Sequence, residues 1–179
     1  LDQYGADAMR WYMFASAPPY NTRRFGPDLV ADMLRQFMLT LWNTYSFWVL
    51  YANAEGLAPS DFPSRGSFVR DNRTKEPRLE LTDLDRWALS RLQATTATVR
   101  ERMDGYDCTA AGRAIAEYVE ELSNWYVRLS RRRFWDGDRA AFASLHHCLL
   151  ETGAVLAPFI PFLAARIPGR NGRSTSATA

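Results

Sequence analysis

The sequence predicts an all-α protein folded as an antiparallel helix bundle, and three observations carry that prediction. Apolar residues recur at threes and fours along most of the chain, the spacing that puts them on one face of a helix. Helix-starting and helix-stopping residues punctuate the pattern at intervals suited to long helices. No stretch sustains the period-2 alternation of a strand or carries a hairpin turn, so helices must bury their apolar faces on other helices. The chain has 179 residues and six Trp, with 47% hydrophobic content, which is enough for one domain with a real core and far from the composition of disorder.

The first helix is expected over Tyr4 to Phe14, with Asp2 able to cap it and the turn-forming Ala17-Pro18-Pro19-Tyr20-Asn21 beyond it. A second begins at Pro27 and Asp28, where Pro is pre-shaped for a first turn and Asp suits the positive end of the dipole. It meets no breaker until about Asn53, and Gly56 supplies the stop. Its Leu34, Phe37, Leu41, Tyr45, Trp48 and Tyr51 form an expected packed face.

Residues 56–81 turn polar and irregular, with Pro59, Pro63, Gly66 and Pro77, and read as a surface connection. A third helix follows Thr82, which can cap it together with Asp85, and ends near Asp104-Gly105. A fourth follows Thr109 and continues to about Trp135. A fifth follows Asp138, and Pro158 and Pro161 break or kink the apolar segment that runs on through Leu163. These elements divide the chain into 1–26, a helical domain over 27–168, and a polar tail over 169–179 read as disordered or as an expression remnant.

Charge narrows the choice of partner only locally. The 22 basic and 20 acidic residues nearly cancel, so a charged partner must be attracted by a patch. Lys75 is the only lysine; the arginines favour planar, bidentate contacts to phosphate or base edges, although codon bias in a high-GC genome gives the same composition. Cys108 and Cys148 sit in helical patterns and suggest neither a disulfide framework nor a Cys-x-x-Cys metal site, which fits a reducing compartment. His146, His147 and Cys148 are consecutive, and helical neighbours point about 100° apart, so no metal is expected on them. No apolar run reaches the roughly 20 residues of a membrane span. The chain starts at Leu1 without an initiator Met or a signal sequence and is expected to be part of something longer.

The fourth helix is where function is most legible. Ala111, Ile115, Tyr118, Leu122, Trp125 and Leu129 define an expected apolar stripe. At about 100° per residue, Asn124, Arg128, Arg131 and Trp135 gather on a second face about 130° away. Arg neutralises phosphate, Asn reads base edges, and Trp offers a stacking surface to an unpaired base. An Arg-rich last turn also complements the negative end of a helix dipole, so Arg131-Arg132-Arg133 has a structural reading beside the functional one. Arg133 and Tyr126 lie on the flank of the stripe, which makes Arg133 the more structural of these arginines.

The string Leu122-Ser123-Asn124-Trp125-Tyr126-Val127-Arg128-Leu129-Ser130-Arg131-Arg132-Arg133-Phe134-Trp135 resembles the anticodon-domain signature of isoleucyl-tRNA synthetases. Related valine, leucine and methionine enzymes keep a helix there without this string. Tyr4-Gly5-Ala6-Asp7-Ala8-Met9-Arg10 resembles the helix after the catalytic signature loop of such synthetases. Leu41-Trp42-Asn43-Thr44-Tyr45-Ser46-Phe47, Asp85-Arg86-Trp87-Ala88-Leu89-Ser90-Arg91-Leu92 and Ala157-Pro158-Phe159-Ile160-Pro161-Phe162 resemble later segments of the bundle, in the same order. The likeness runs nearly to Leu163 and departs over Ala164 to Gly169.

The resemblance implies a helix bundle of the class I synthetase anticodon-binding type. It implies contact with the anticodon stem-loop of tRNA-Ile through Asn124, Arg128, Arg131, Arg132 and Trp135. Structural roles in packing and helix ends fall to Tyr4, Asp7, Asn43, Trp87, Trp125, Tyr126, Arg133 and Pro161. Residues 1–26 would be the tail of the catalytic or stem-contact region. The parent enzyme would be cytoplasmic and monomeric, joining isoleucine to tRNA with ATP and magnesium and editing misactivated valine. Neither nucleotide-binding signature nor editing domain is present, so no residue here is expected to be catalytic, and no cofactor is expected in this piece. The anticodon domain of valyl-tRNA synthetase is the nearest alternative, and a freestanding helical protein-interaction module is an alternative of another class.

Overall fold

The structure, a computed structural model, describes residues 4–22, 24–62 and 79–167. Asp2, most of the expected 56–81 connection and the 169–179 tail lie outside the described residues. Among those described there is no strand, and the chain is an all-α bundle.

Helix α1 spans Gly5–Ala15. A long rod follows, made of α2 (Pro27–Met33), a π-turn (Leu34–Met38) and α3 (Leu39–Ala54). Pro27 stands at its start as expected, and Gly56, at φ 67°, takes the left-handed position that ends it, with Leu57 N–H bonding back to the Ala52 carbonyl at 2.8 Å. Helix α4 runs Asp83–Asp104 behind a complete capping box, in which Thr82 Oγ1 accepts from the Asp85 N–H and the Asp85 carboxylate accepts from the Thr82 N–H.

Helix α4 ends at Asp104, as expected, but the residue that turns left-handed there is not the glycine. Gly105 keeps a right-handed φ, and the left-handed residue is Tyr106, at φ 59°, after which Asp107 N–H returns to the Arg102 carbonyl. Asp107 then caps α5 (Cys108–Glu121), while Thr109, expected to start this helix, donates its hydroxyl to the Phe14 carbonyl of α1.

A π-turn (Leu122–Val127) joins α5 to α6 (Arg128–Trp135) without a break. Gly137, at φ 72°, closes α6, and Asp138 caps α7 (Arg139–Leu156). Pro158 lies in the break after α7, and Pro161 occupies the first turn of α8 (Pro161–Arg166).

The core lies between the two rods, α4 and α7. Trp48, Tyr118, Tyr126, Phe134, Phe142 and Phe159 are fully buried in one cluster. The indole N–H of Trp48 donates to the Phe142 carbonyl at 3.0 Å, which spares a buried donor and pins α3 to α7. Trp87 is half-buried against the same core.

The first and last resembling segments meet. Asp7, on α1, accepts from the Leu163 N–H at 2.6 Å and so serves as the cap of α8, whose Pro161 needs no such partner. Arg10, one turn on, donates to the carbonyls of Phe159 and Pro158 at 2.9 and 2.6 Å. Trp11 stacks on Phe37 at 3.9 Å, which ties α1 to the long rod, and Tyr4 packs beside Ala8 and Tyr12. Gly112 faces α1 because a Cβ there would come within 3.0 Å of the Ala15 Cβ.

Candidate nucleic-acid interface

The α5–α6 rod carries the residues singled out from sequence, and its π-turn decides which way they face. A π-turn inserts one residue into the helical register, so every position beyond it is rotated by about 100° relative to a uniform α-helix. Up to Leu122 the buried residues follow the expected stripe: Ala111, Ile115, Tyr118 and Leu122 are all 1–2% exposed or less. Beyond it the buried set moves on by one, to Tyr126, Ser130 and Phe134, each at 0%.

Trp125 and Leu129 are therefore not in the apolar stripe. They are 57% and 56% exposed and lie on the outer surface. The signal was available in the sequence as the run of four-residue steps Tyr118, Leu122, Tyr126, Ser130, Phe134, which on a uniform helix would drift by about 40° a step. Ser130 hid it by placing a hydroxyl at a core position.

The outer surface thus holds two neighbouring rows. Asn124, Arg128, Arg131 and Trp135 form one, and Trp125, Leu129 and Arg132 the other. All seven are exposed, Trp135 at 76%. Arg132 reaches Asp136 at 3.7 Å, but its side chain is 93% exposed, so this ion pair binds little. Arg128 and Arg131 form no ion pair among the described residues. Two indoles and three guanidiniums on one helical surface can stack on bases and neutralise phosphates together.

The third consecutive arginine does different work. Arg133 donates from Nη1 and Nη2 to the two carboxylate oxygens of Asp85 at 2.9 and 2.8 Å, and from Nε to Asp138 at 2.8 Å. Tyr126 donates its hydroxyl to the same Asp85. Burial of Asp85 favours the neutral acid, but the hydrogen bonds from Arg133, Tyr126 and Thr82 outweigh it and hold the carboxyl below its ordinary range. Burial, then the Asp85 charge and its hydrogen bond, raises the Tyr126 phenol, so it stays a donor. Burial disfavours the Arg133 cation, yet its bonds to Asp85 and Asp138 more than restore it. One buried carboxylate thereby caps α4, anchors α6 and fixes the α6–α7 turn.

Asn43 departs from the role expected of it. It is exposed rather than packed, and it faces Asn124 across a polar groove between the two rods. The groove's remaining walls are Gln36, Thr40, Glu120 and Ser123.

The histidine pair does not converge on a site. His146 stacks on Trp48 at 4.8 Å and leans on Phe62 at 5.4 Å; burial, then neighbouring His147, lowers its pKa to about 4, so it is neutral. Burial pushes the Cys148 thiol up to about 12, which leaves it inert.

Comparison with known proteins shows the family to which this helical surface belongs. A family model described as the anticodon-binding domain of tRNA ligases matches residues 85–177. Over 172 residues the chain is 46% identical to the isoleucine–tRNA ligase of Dehalococcoides mccartyi (strain 195), a match covering 93% of this chain and 16% of that protein. It is 45% identical over 168 residues to the isoleucine–tRNA ligase of Deinococcus radiodurans, covering 92% of this chain and 14% of that protein. With the isoleucine–tRNA ligase of Thermus thermophilus it shares 44% identity over 170 residues, covering 92% of the chain and 15% of that protein. The chain thus spans 14–16% of the length of these relatives.

Proposed function

This chain belongs to the anticodon-binding domain family of tRNA ligases, and from that premise we propose that the outer face of α5–α6 grips the anticodon arm of tRNA-Ile. The observation that carries the proposal is the π-turn. It puts Tyr126 and Phe134 in the core in place of Trp125 and Leu129, and sets those two large apolar side chains among Arg128, Arg131, Arg132 and Trp135, where only a partner can cover them. Arg128, Arg131 and Arg132 neutralise backbone phosphates, Trp125 and Trp135 stack on unpaired loop bases, and Asn124 reads a base edge.

The domain acts in a ligase that joins isoleucine to tRNA with ATP and magnesium. Its contribution is binding energy at the anticodon, which helps position the remote acceptor end, rather than acid–base chemistry. The sequence holds no Gly-rich phosphate loop, and among the described residues no three His, Cys, Asp or Glu side chains are placed to hold a metal ion. We accordingly place activation and editing outside this chain. A cytoplasmic, monomeric enzyme is the setting this reading implies. Among the described residues no helix is long and apolar enough to cross a membrane.

Filter binding of the chain to tRNA-Ile, tRNA-Val and an unrelated RNA tests the proposal. Arg128→Ala and Arg131→Ala should each weaken binding to tRNA-Ile and lower the salt slope by about 0.7–0.9 per lost phosphate contact. Trp135→Ala should cost about 1–3 kcal/mol of binding with the slope kept. Arginine variants that melt early yet bind with full affinity when folded would make these side chains helix-end residues and end the proposal. Equal affinity for the unrelated RNA would reduce the face to a non-specific phosphate binder, and binding to none of the three RNAs would favour the protein-interaction reading.

A further inference from the structure

We propose that the groove between the two π-turns is a pocket for one unpaired base of the bound RNA, a base carrying an amino group that Glu120 accepts. The inference rests on the RNA-gripping role of the α5–α6 face and adds to it the place where sequence is read.

The groove has a volume of about 560 Å³, within the range of small-ligand clefts, and its walls are Gln36, Thr40, Asn43, Glu120, Ser123 and Asn124. Gln36 sits in one π-turn, and Ser123 and Asn124 sit in the other, so both irregularities of these rods open onto it. Local departures of this kind are enriched at functional sites. Thr40 spends its hydroxyl on the Gln36 carbonyl at 3.1 Å. The side chains of Gln36, Asn43, Ser123, Asn124 and Glu120 have no protein hydrogen bond among the described residues. The groove therefore presents three amides, each both donor and acceptor, together with a hydroxyl and a carboxylate.

Charge selects among the parts of an RNA. Glu121 is held by Arg91 through two bonds of 2.8 and 2.9 Å, which leaves Glu120 as the charged wall of the groove. A carboxylate repels phosphate and accepts from an exocyclic amine or a ring N–H, so the group that fits is a base edge with donors. The amides of Asn43 and Asn124 can pair with the rest of that edge. Beyond Gln36 and Glu120 the groove continues into a stretch whose apolar wall is Trp11, Met33, Phe37 and Ala116, where a ring face can lie, and whose polar wall includes Ser16 and Arg113. Asn124 belongs both to the groove and to the outer row with Arg128 and Arg131. A base swung out from a backbone held by those arginines passes over Asn124 to enter.

The test uses the full chain and tRNA-Ile anticodon-arm hairpins in which each amino-bearing loop base is replaced by its analogue lacking the amine. Removing the amine at one loop position should weaken wild-type binding by about tenfold or more. Glu120→Gln, which keeps the shape and removes the charge, should reduce that discrimination below roughly threefold while leaving the salt slope unchanged. Asn43→Ala should weaken the intact hairpin without changing thermal stability, since the side chain is exposed. The groove reading is overturned if no amine matters to the wild type, or if Glu120→Gln discriminates as the wild type does while Arg128→Ala still weakens binding. If Arg128→Ala, Arg131→Ala and Trp135→Ala all bind as the wild type does, the RNA-gripping face itself fails, a result distinct from failure of the groove.

Discussion

Replacing Arg133 by alanine isolates the structural half of the Arg131-Arg132-Arg133 run. Asp85 is 0% exposed, and Arg133, at 20%, supplies two of its hydrogen bonds besides one to Asp138. Without the guanidinium, the carboxylate stays buried with only neutral donors from Thr82 and Tyr126. Removing one partner of a buried pair costs about 3–5 kcal/mol, mostly as the uncompensated charge. In a chain of this size, each kcal/mol lowers the melting temperature by about 2–4 °C, so Arg133→Ala should melt on the order of 10 °C or more below the wild type. Urea unfolding followed by circular dichroism gives the free energy directly, and the slope should be unchanged.

A second signature comes from pH. The folded Asp85 carboxyl lies below its unfolded value of 3.8, so the stability from its ionised form is present above that value and is lost as pH falls through the folded one. Arg133→Ala removes a cause of the lowering, and the deficit of the variant should shrink in acid, where Asp85 is protonated in both. Arg131→Ala removes an exposed side chain with no ion pair among the described residues and should stay within about 0.5 kcal/mol of the wild type. An Arg133→Ala loss under about 1 kcal/mol, or equal losses for the two arginines, would refute the buried-network reasoning.

The register shift at the π-turn predicts opposite outcomes for two aromatics nine residues apart: Phe134→Ala should cost about 3–5 kcal/mol as an emptied core site, and Trp125→Ala should leave unfolding nearly unchanged while weakening RNA binding. Comparable destabilisation by both would return Trp125 to the core. His146 predicts a pH dependence of its own. Its pKa is 6.5 in the unfolded chain and about 4 when folded, so the unfolded state takes the proton first. Stability is then full above about 6.5 and declines by about 3 kcal/mol as pH falls to 4. Denaturant titrations between these limits should show the decline, and His146→Phe, which keeps the stack on Trp48, should flatten it; an unchanged profile in that variant would assign the decline to other groups.

Local chemistry carried most of the elements into view from the sequence. Thr82 with Asp85, Pro27, Gly56 and Asp138 act within one turn of chain, through capping bonds and backbone preferences that do not depend on what lies across the core. The Arg/Trp part of the surface was likewise legible, because Arg128, Arg131 and Trp135 all lie beyond the π-turn and keep their mutual spacing when the register shifts. Two features were decided only by the fold. Asp7 and Arg10 cap and brace α8 from about 150 positions away, and no local pattern announces such a pair. The π-turn is the other. A uniform helix would have buried Trp125 and Leu129; the inserted residue puts Tyr126 and Phe134 in the core in their place, and the same rotation brings the Tyr126 hydroxyl and the Arg133 guanidinium onto the Asp85 carboxylate of α4, a partner that no pattern within the rod announces.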